Sequence, residues 1–260
     1  MRKSRILQKL RAGQVVSISQ SWIIPHWKVV DMMGILGFDG VWLEHEHSDF
    51  TLGEISRMIL AARAHDMDSL VRVERSGYNA LIKALEAGAT GVIIPHVKTA
   101  AEVATLLDQV KYYPPGHRGA GGSVDSDYGT VGYSEYTTHA NAETLVALII
   151  EQRQAVEEID AIAALDGVDL LIIGFGDLCQ SYDLPVDPQA EVVLRANERV
   201  AEAAAKHGKW WGTPIIGGPE QAQGLIDQGA RVLQWGSDQT ILMHGFRQIL
   251  QQIDRLRLRE

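Results

Sequence analysis

Short apolar runs of strand length alternate with amphipathic stretches of helix length along most of this chain. The pattern predicts strands at Val15–Ser19, Gly40–Leu43, Ser69–Val73 and Gly91–Pro95, each followed by a helix, over Trp27–Leu36, Leu52–His65, Gly77–Ala87 and Thr99–Lys111. It resumes with strands at Leu145–Ile150, Asp169–Ile173, Trp210–Ile216 and Arg231–Trp235, and helices over Arg153–Leu165, Pro188–His207, Pro219–Gln228 and Gln239–Arg257. Several of these strands are apolar throughout instead of alternating, which marks strands covered on both faces, as in a parallel sheet under helices. Eight such units in 260 residues predict a single (β/α)₈ barrel domain spanning the chain. An open doubly wound sheet is the rival, disfavoured because no Gly-x-Gly-x-x-Gly follows the first strand. Ala87-Gly88-Ala89, His207-Gly208-Lys209 and Gln228-Gly229-Ala230 each put glycine just past a helix, where helices stop. Thr99, with Glu102 three residues on, reads as a helix cap.

One connection breaks the rhythm. Tyr112–Thr144 is rich in glycine and carries Pro114 and Pro115. A loop this long within a domain is commonly functional or disordered. It leaves from the N-terminal face of the expected barrel and is expected to cross or cover a mouth before the next strand.

Strand ends are where a parallel barrel keeps its chemistry. Glu151 ends the run Leu145–Ile150, and Asp177 lies just past Leu170–Ile173. Two carboxylates converging on one mouth, with room for water and substrate, suit Mg²⁺ or Mn²⁺. Asp177 sits in Gly174-Phe175-Gly176-Asp177-Leu178, which reads equally as a capped turn when taken alone. Glu44-His45-Glu46-His47 ends the second strand, and continued alternation would put Glu44 and Glu46 on one side and His45 and His47 on the other. It reads as a base with supporting carboxylates or as a solvated loop. Arg72, within Val71-Arg72-Val73, must be paired or point at the mouth, either clamping a substrate carboxylate or pairing with Glu74 or another carboxylate. Arg118, in Gly116–Gly122, is expected at the same mouth, where the glycine-rich backbone could cradle an anion; a surface turn competes. His96 and Thr213-Pro214 end strands and receive no role, and the six tryptophans read as packing.

Composition narrows the classes. A formal charge of −9 and no basic run before Arg255-Leu256-Arg257-Leu258-Arg259 argue against a nucleic-acid partner, and that tail reads as a solvated last helical turn. Cys179 is the only cysteine, so no intrachain disulfide forms, which fits a cytoplasmic protein. No signal peptide and no membrane-length apolar stretch are expected.

Taken together, several segments resemble the HpcH/HpaI aldolase family, the class II metal-dependent pyruvate aldolases of the 4-hydroxy-2-oxoheptanedioate and 2-keto-3-deoxy-sugar-acid aldolase group. They are Phe38–His47, Val71-Arg72, Ala87–Pro95, Tyr113–Gly119, Ile150-Glu151 and Gly167–Leu178, in unbroken order. The resemblance implies a barrel whose last helix is exchanged within a homo-oligomer, a trimer or hexamer. It implies a carbon–carbon lyase that reversibly cleaves a 4-hydroxy-2-oxo acid to pyruvate and an aldehyde through a metal-stabilised pyruvate enolate. By the same resemblance Glu151 and Asp177 would ligate Mg²⁺ or Mn²⁺ (Co²⁺ also fits), and Arg72 would hold the keto acid. His47 would be the acid/base residue with Glu46 beside it. The backbone of Gly174, Phe175, Gly176 and Asp177 would receive the pyruvate carboxylate. No Schiff-base lysine is required, and Lys83, Lys98 and Lys111 fall on predicted helices. The chain departs from the family pattern at Glu44 and Glu86 (aspartates there), Ile149 (a glutamine), Phe175 (a proline) and Cys179 (a serine). The Ile149 departure bears on substrate choice. The alternatives are a malyl- or citramalyl-CoA-type lyase, an oxaloacetate decarboxylase on the same barrel, and a non-catalytic keto-acid binder.

Overall fold

A computed structural model describes residues 2–256. The strands β1 (Val16–Ser21), β2 (Gly40–Glu44), β3 (Asp68–Arg72), β4 (Gly91–Ile94), β5 (Leu145–Ile150), β6 (Leu170–Ile173), β7 (Trp210–Ile215) and β8 (Val232–Ser237) close, in that order, into a barrel. All neighbouring pairs are parallel, β8 with β1 included. The expected (β/α)₈ architecture is therefore the observed one.

The helices are α1 (Arg5–Arg11), α2 (Trp27–Ile35), α3 (Leu52–Ala64), α4 (Tyr78–Glu86), α5 (Ala100–Val110) and α6 (Tyr133–Glu143). They continue with α7 (Arg153–Glu157), α8 (Ile159–Ala163), α9 (Phe175–Ser181), α10 (Glu191–His207), α11 (Gly218–Asp227) and α12 (Asp238–Asp254). Caps fall where the residue types direct them. Thr51 and Glu54 form a capping box on α3, Thr99 accepts from the Glu102 backbone on α5, and Gly208 closes α10 in the left-handed region at φ 65°.

Alternation along each strand divides two cores. Outward residues such as Val41, Leu43, Val71, Val92 and Ile150 pack under the helices. Inward residues such as Ile18, Trp42, Leu70, Ile93, Ala147 and Ile172 fill the barrel. The unanticipated α1 stoppers its lower end with Ile6, Leu7 and Leu10. Asp68 fixes this stopper by accepting from Ser4 Oγ (2.6 Å) and the Ile6 amide (2.8 Å).

The connection 112–144 departs from its expectation. It holds a 3₁₀ turn at Val124–Gly129 and α6, and it stays on the N-terminal face without reaching the strand C-termini. The cause is its tethering at the base: Lys111 Nζ donates to the Asn141 and Thr144 carbonyls, and the Tyr112 amide donates to Asn141 Oδ1 at 2.7 Å. The predicted helix over Arg153–Leu165 is broken into α7 and α8, and the one starting at Pro188 begins at Glu191. The last predicted helix ends at Asp254, and residues 257–259 of the basic tail lie outside the described residues. No described helix is long and apolar enough to cross a membrane.

Candidate active site

The inward stripe of each strand ends at the C-terminal mouth, and there its residues change from apolar to polar. Gln20, Arg72, Glu151 and Gln234 line a cleft of about 930 Å³ together with Asp177 and the apolar residues Trp42, Ile149, Ile172 and Pro214. The period of two thus determines which residues reach the mouth.

Glu44 organises the β2–β3 edge of the mouth. It is fully buried and pairs laterally with Arg72 across β2 and β3. Its Oε1 accepts the amides of Glu46 (2.9 Å) and His47 (3.0 Å), and its Oε2 accepts from Gln20 Nε2 and Trp42 Nε1, each at 3.2 Å. These bonds turn the chain back after Glu44, so the expected alternation through His47 does not occur: Glu46 and His47 side chains lie together, 3.6 Å apart. His47 is about half exposed, whereas Glu46 is largely covered.

Arg72 is buried between carboxylates. Nη1 lies 3.6 Å from Glu44 Oε2, Nη2 contacts Glu46 Oε2, and the guanidinium carbon stands 6.0 Å from the Trp42 ring centre. Its partners are therefore Glu44 and Glu46, and not Glu74. Arg72 Nε is buried without a hydrogen-bond acceptor, and Nη2 meets Glu46 only as an ion contact, outside hydrogen-bond geometry. A buried guanidinium N–H left open, as at Nε, favours a bound anionic or carbonyl oxygen.

Glu151 is buried at the end of β5. Its Oε1 accepts the His96 amide at 2.7 Å. Its Oε2 fills the space beside Gly174, where a Cβ would stand only 2.7 Å away, so any larger residue at 174 would push into this carboxylate. Burial drives the Glu151 carboxyl up to about 7; the His96 amide and Arg72 oppose the rise, and Asp177 and Glu46 add to it. Four carboxylates, Glu44, Glu46, Glu151 and Asp177, thus share one guanidinium, a donor set with an excess of hard oxygen.

The sign of that shift makes a prediction. A folded value above the ordinary 4.5 means the native chain holds this proton more tightly than the unfolded chain does. The resulting stabilisation is present below about 4.5 and is lost as pH rises through about 7. In chelator, the melting temperature of the wild type is expected to fall between about pH 5 and 8 relative to Glu151→Gln. Asp68 and Asp169, also raised by burial, are common to both proteins and cancel. Parallel pH profiles in scanning calorimetry would contradict the Glu151 assignment.

His96 is the residue whose place the strand pattern left unassigned. It follows β4 with a φ of 52° and sets its imidazole between two carboxylates, Nε2 3.1 Å from Glu46 and Nδ1 3.2 Å from Glu151. Gln152 Nε2 is 3.3 Å from His96 Nδ1. The available signal was its position just past a strand, the same signal that picks out Glu151.

Gly174, Phe175, Gly176 and Asp177 all line the cleft, as the cap and first turn of α9. Arg118, in contrast, is at the opposite mouth. It is buried, pairs with Asp125 at 2.7 Å and stacks 4.7 Å over Tyr112, because the whole connection remains on that face. The Gly116–Gly122 backbone forms no cradle at the C-terminal mouth: the His117 amide donates to the Asp108 carbonyl and the Gly119 amide to Tyr78 Oη. Of the departing positions, Ile149 lines the cleft and Glu86 lies beside Gly121, away from it. No lysine lines the cleft. Lys83 is in α4, Lys111 caps α5, and Lys98, expected on a helical segment, stands just before α5.

Residues 25–245 match the family described as HpcH/HpaI aldolase/citrate lyase. The chain belongs to this family. Membership makes it an aldolase/lyase, and similar proteins agree. A 4-hydroxy-2-oxovalerate aldolase of Novosphingobium aromaticivorans is 30% identical over 220 residues, 84% of this chain and 82% of that protein. A hydroxypyruvate/pyruvate aldolase of Rhizorhabdus wittichii is 34% identical over 195 residues, 72% of this chain and 75% of that one. The crystal structure of an HpcH/HpaI aldolase from Desulfitobacterium hafniense superposes with a TM-score of 0.91 at 28% identity, covering 96% of this chain and 97% of the other. Within the family barrel, the strand-end residues Arg72, Glu151 and Asp177 therefore occupy the mouth where (β/α)₈ enzymes carry out their chemistry.

Proposed function

We propose that this family member cleaves a 4-hydroxy-2-oxo acid reversibly to pyruvate and an aldehyde, with the keto acid held among Arg72, Glu151 and Asp177. The observation that carries this reading is the buried, partly unsatisfied Arg72 guanidinium sharing one cleft with Glu151 and Asp177. Among the described residues no group of three or more His, Cys, Asp or Glu forms a metal cage. Two carboxylates still fit Mg²⁺ or Mn²⁺, which bind through one or two protein oxygens and fill the remaining positions with water and substrate. Burial is the main cause of the raised Glu151 proton affinity, and the Asp177 and Glu46 carboxylates that add to it are charges a cation would offset. When bound at Glu151 and Asp177, such a cation supplies Lewis-acid polarisation of a carbonyl oxygen.

The protein's own groups do the rest. Arg72 places its open N–H groups against the 2-oxo oxygen and stabilises the negative charge that develops there as the C3–C4 bond breaks. The amides at the start of α9, over Gly174, Phe175, Gly176 and Asp177, receive the carboxylate. His47, acting through a water and oriented by Glu46, takes the proton from the 4-hydroxyl and returns it in the condensation direction. His47→Ala is expected to lower turnover at least about a hundredfold while keto-acid affinity survives. Calorimetric titration with pyruvate and a coupled assay of pyruvate release measure the two quantities. Unchanged turnover would remove His47 from the mechanism, and loss of binding would recast it as a substrate ligand.

The reading includes a homo-oligomer built by exchange of α12. Only Asp238 of α12 is buried; Phe246, Ile249 and Ile253 face solvent, as do Met32, Ile35 and Leu36 on and after α2. Asp238 anchors the first turn by accepting the Trp22 and Ile24 amides, each at 2.9 Å, and leaves the rest of the helix to reach a neighbour. An apolar helix face of this length requires cover. Light scattering is expected to give the mass of a trimer or hexamer for the wild type and of a monomer for Phe246→Asp/Ile249→Asp; a monomeric wild type would end the exchange proposal.

A further inference from the structure

Resting on the aldolase reading above, we infer that the aldehyde half of the substrate is uncharged and apolar: an aliphatic or aromatic aldehyde, in preference to an aldehyde bearing a carboxylate, a phosphate or a run of hydroxyls. The cleft has two unlike sides. Glu46, Arg72, Glu151 and Asp177 come from the β2, β3, β5 and β6 ends and would hold the pyruvate moiety. The opposite arc, over β7, β8 and β1, is lined by Trp22, Ile215, Ile216, Trp235 and Ile241. Ile149 and Ile172 carry the apolar surface across the floor. Within one protomer, the substituent on C4 of a bound 4-hydroxy-2-oxo acid faces this arc.

Among the described residues the arc offers no counter-ion: Arg72 is the one Arg or Lys in the lining, and it already faces Glu44 and Glu46. A second carboxylate on the substrate would lie in the field of the Glu46, Glu151 and Asp177 acids without a cation of its own, and a partly desolvated unpaired charge is costly. His244 is the lining's one imidazole. Polyhydroxylated tails fare poorly for another reason: Gln20, Gln234 and Thr240, polar members of the lining, already bond within the fold. Gln20 Nε2 donates to Glu44, Gln234 Nε2 to the Gly236 carbonyl at 2.9 Å, and Thr240 Oγ1 accepts the Ser237 amide at 2.8 Å. Half-exposed tryptophan and isoleucine side chains recover free energy when an apolar tail covers them.

The reaction in the condensing direction is redox-neutral: pyruvate C3 loses a proton and bonds to the aldehyde carbon, whose oxygen gains a proton. The test gives the intact enzyme, with Mn²⁺, pyruvate and pentanal, benzaldehyde, succinic semialdehyde or glyceraldehyde, and compares kcat/KM. Exchange of the pyruvate methyl protons with deuterated solvent, followed by NMR, reports C3 deprotonation without any aldehyde. Pentanal or benzaldehyde is expected to exceed succinic semialdehyde by about tenfold or more, the scale of discrimination available to an apolar pocket. Ile216→Arg, on the half-exposed rim, is expected to move the ratio at least about tenfold toward the semialdehyde. Proton exchange together with a preference for the semialdehyde or glyceraldehyde overturns the apolar-aldehyde inference and leaves the aldolase reading standing. An unmoved ratio in Ile216→Arg overturns the placement of the tail on the arc. Absence of both exchange and adduct overturns the aldolase reading and this inference with it.

Discussion

Pyruvate release from a panel of 4-hydroxy-2-oxo acids is expected to disappear after EDTA treatment and to return on addition of Mg²⁺ or Mn²⁺. Several kcal/mol of charge stabilisation depend on such a cation, so the loss is expected to exceed about a thousandfold. Glu151→Ala and Asp177→Ala should behave as permanently chelated enzyme and should lower metal affinity in calorimetry. The Glu151 variant carries the clearer expectation. Glu151 is buried, and removing it leaves the neighbouring carboxylates without the group that would share a cation with Asp177. Metal affinity should also rise with pH toward about 7, because the Glu151 proton must leave before the carboxylate can ligate. Pyruvate release that ignores EDTA, or full metal affinity in both variants, would eliminate the metal pair and direct attention to other chemistry at this mouth.

Arg72→Ala is expected to reduce turnover by about a hundred- to a thousandfold, the cost of removing one donor aimed at a developing oxyanion. It should also raise the KM for the keto acid, since the same guanidinium is buried with its Nε open to a ligand. The variant is expected to be less stable by roughly 3–5 kcal/mol, because Glu44 and Glu46 lose their shared cation. Arg72→Lys keeps the charge but not the planar fork, and should recover stability better than activity. Steady-state kinetics and chemical denaturation of the two variants separate these effects. Full kcat in Arg72→Ala would place Arg72 in the structural scaffold alone.

Much of the barrel was legible because its strands are short apolar runs whose character depends on local order alone. Leu145–Ile150 and Leu170–Ile173 read as buried strands and are so. Helix limits followed where a residue type carries its own cap, as at Thr99 and Gly208. Three helices, α1, α6 and α9, escaped. The sequence of α6, Tyr133–Glu143, has no apolar stripe, and Tyr136 and Thr137 are its only buried residues. The short α1 gains its helical state from filling the barrel end with Ile6, Leu7 and Leu10 and from Asp68 bonding its start, contacts made across more than 60 residues.

At the candidate site the same division holds. The sequence by itself determined that Arg72 and Glu151 end strands and that Asp177 follows one closely, and hence that they share one mouth, because every strand of a parallel barrel ends on the same side. Only the tertiary structure decided that Glu44 folds the Glu46-His47 turn onto itself and that His96 enters between Glu46 and Glu151. It also put Arg118 at the far mouth. These are contacts between side chains from different strands and loops, set by the path of the backbone in space, and residue order along one segment carries no information about them.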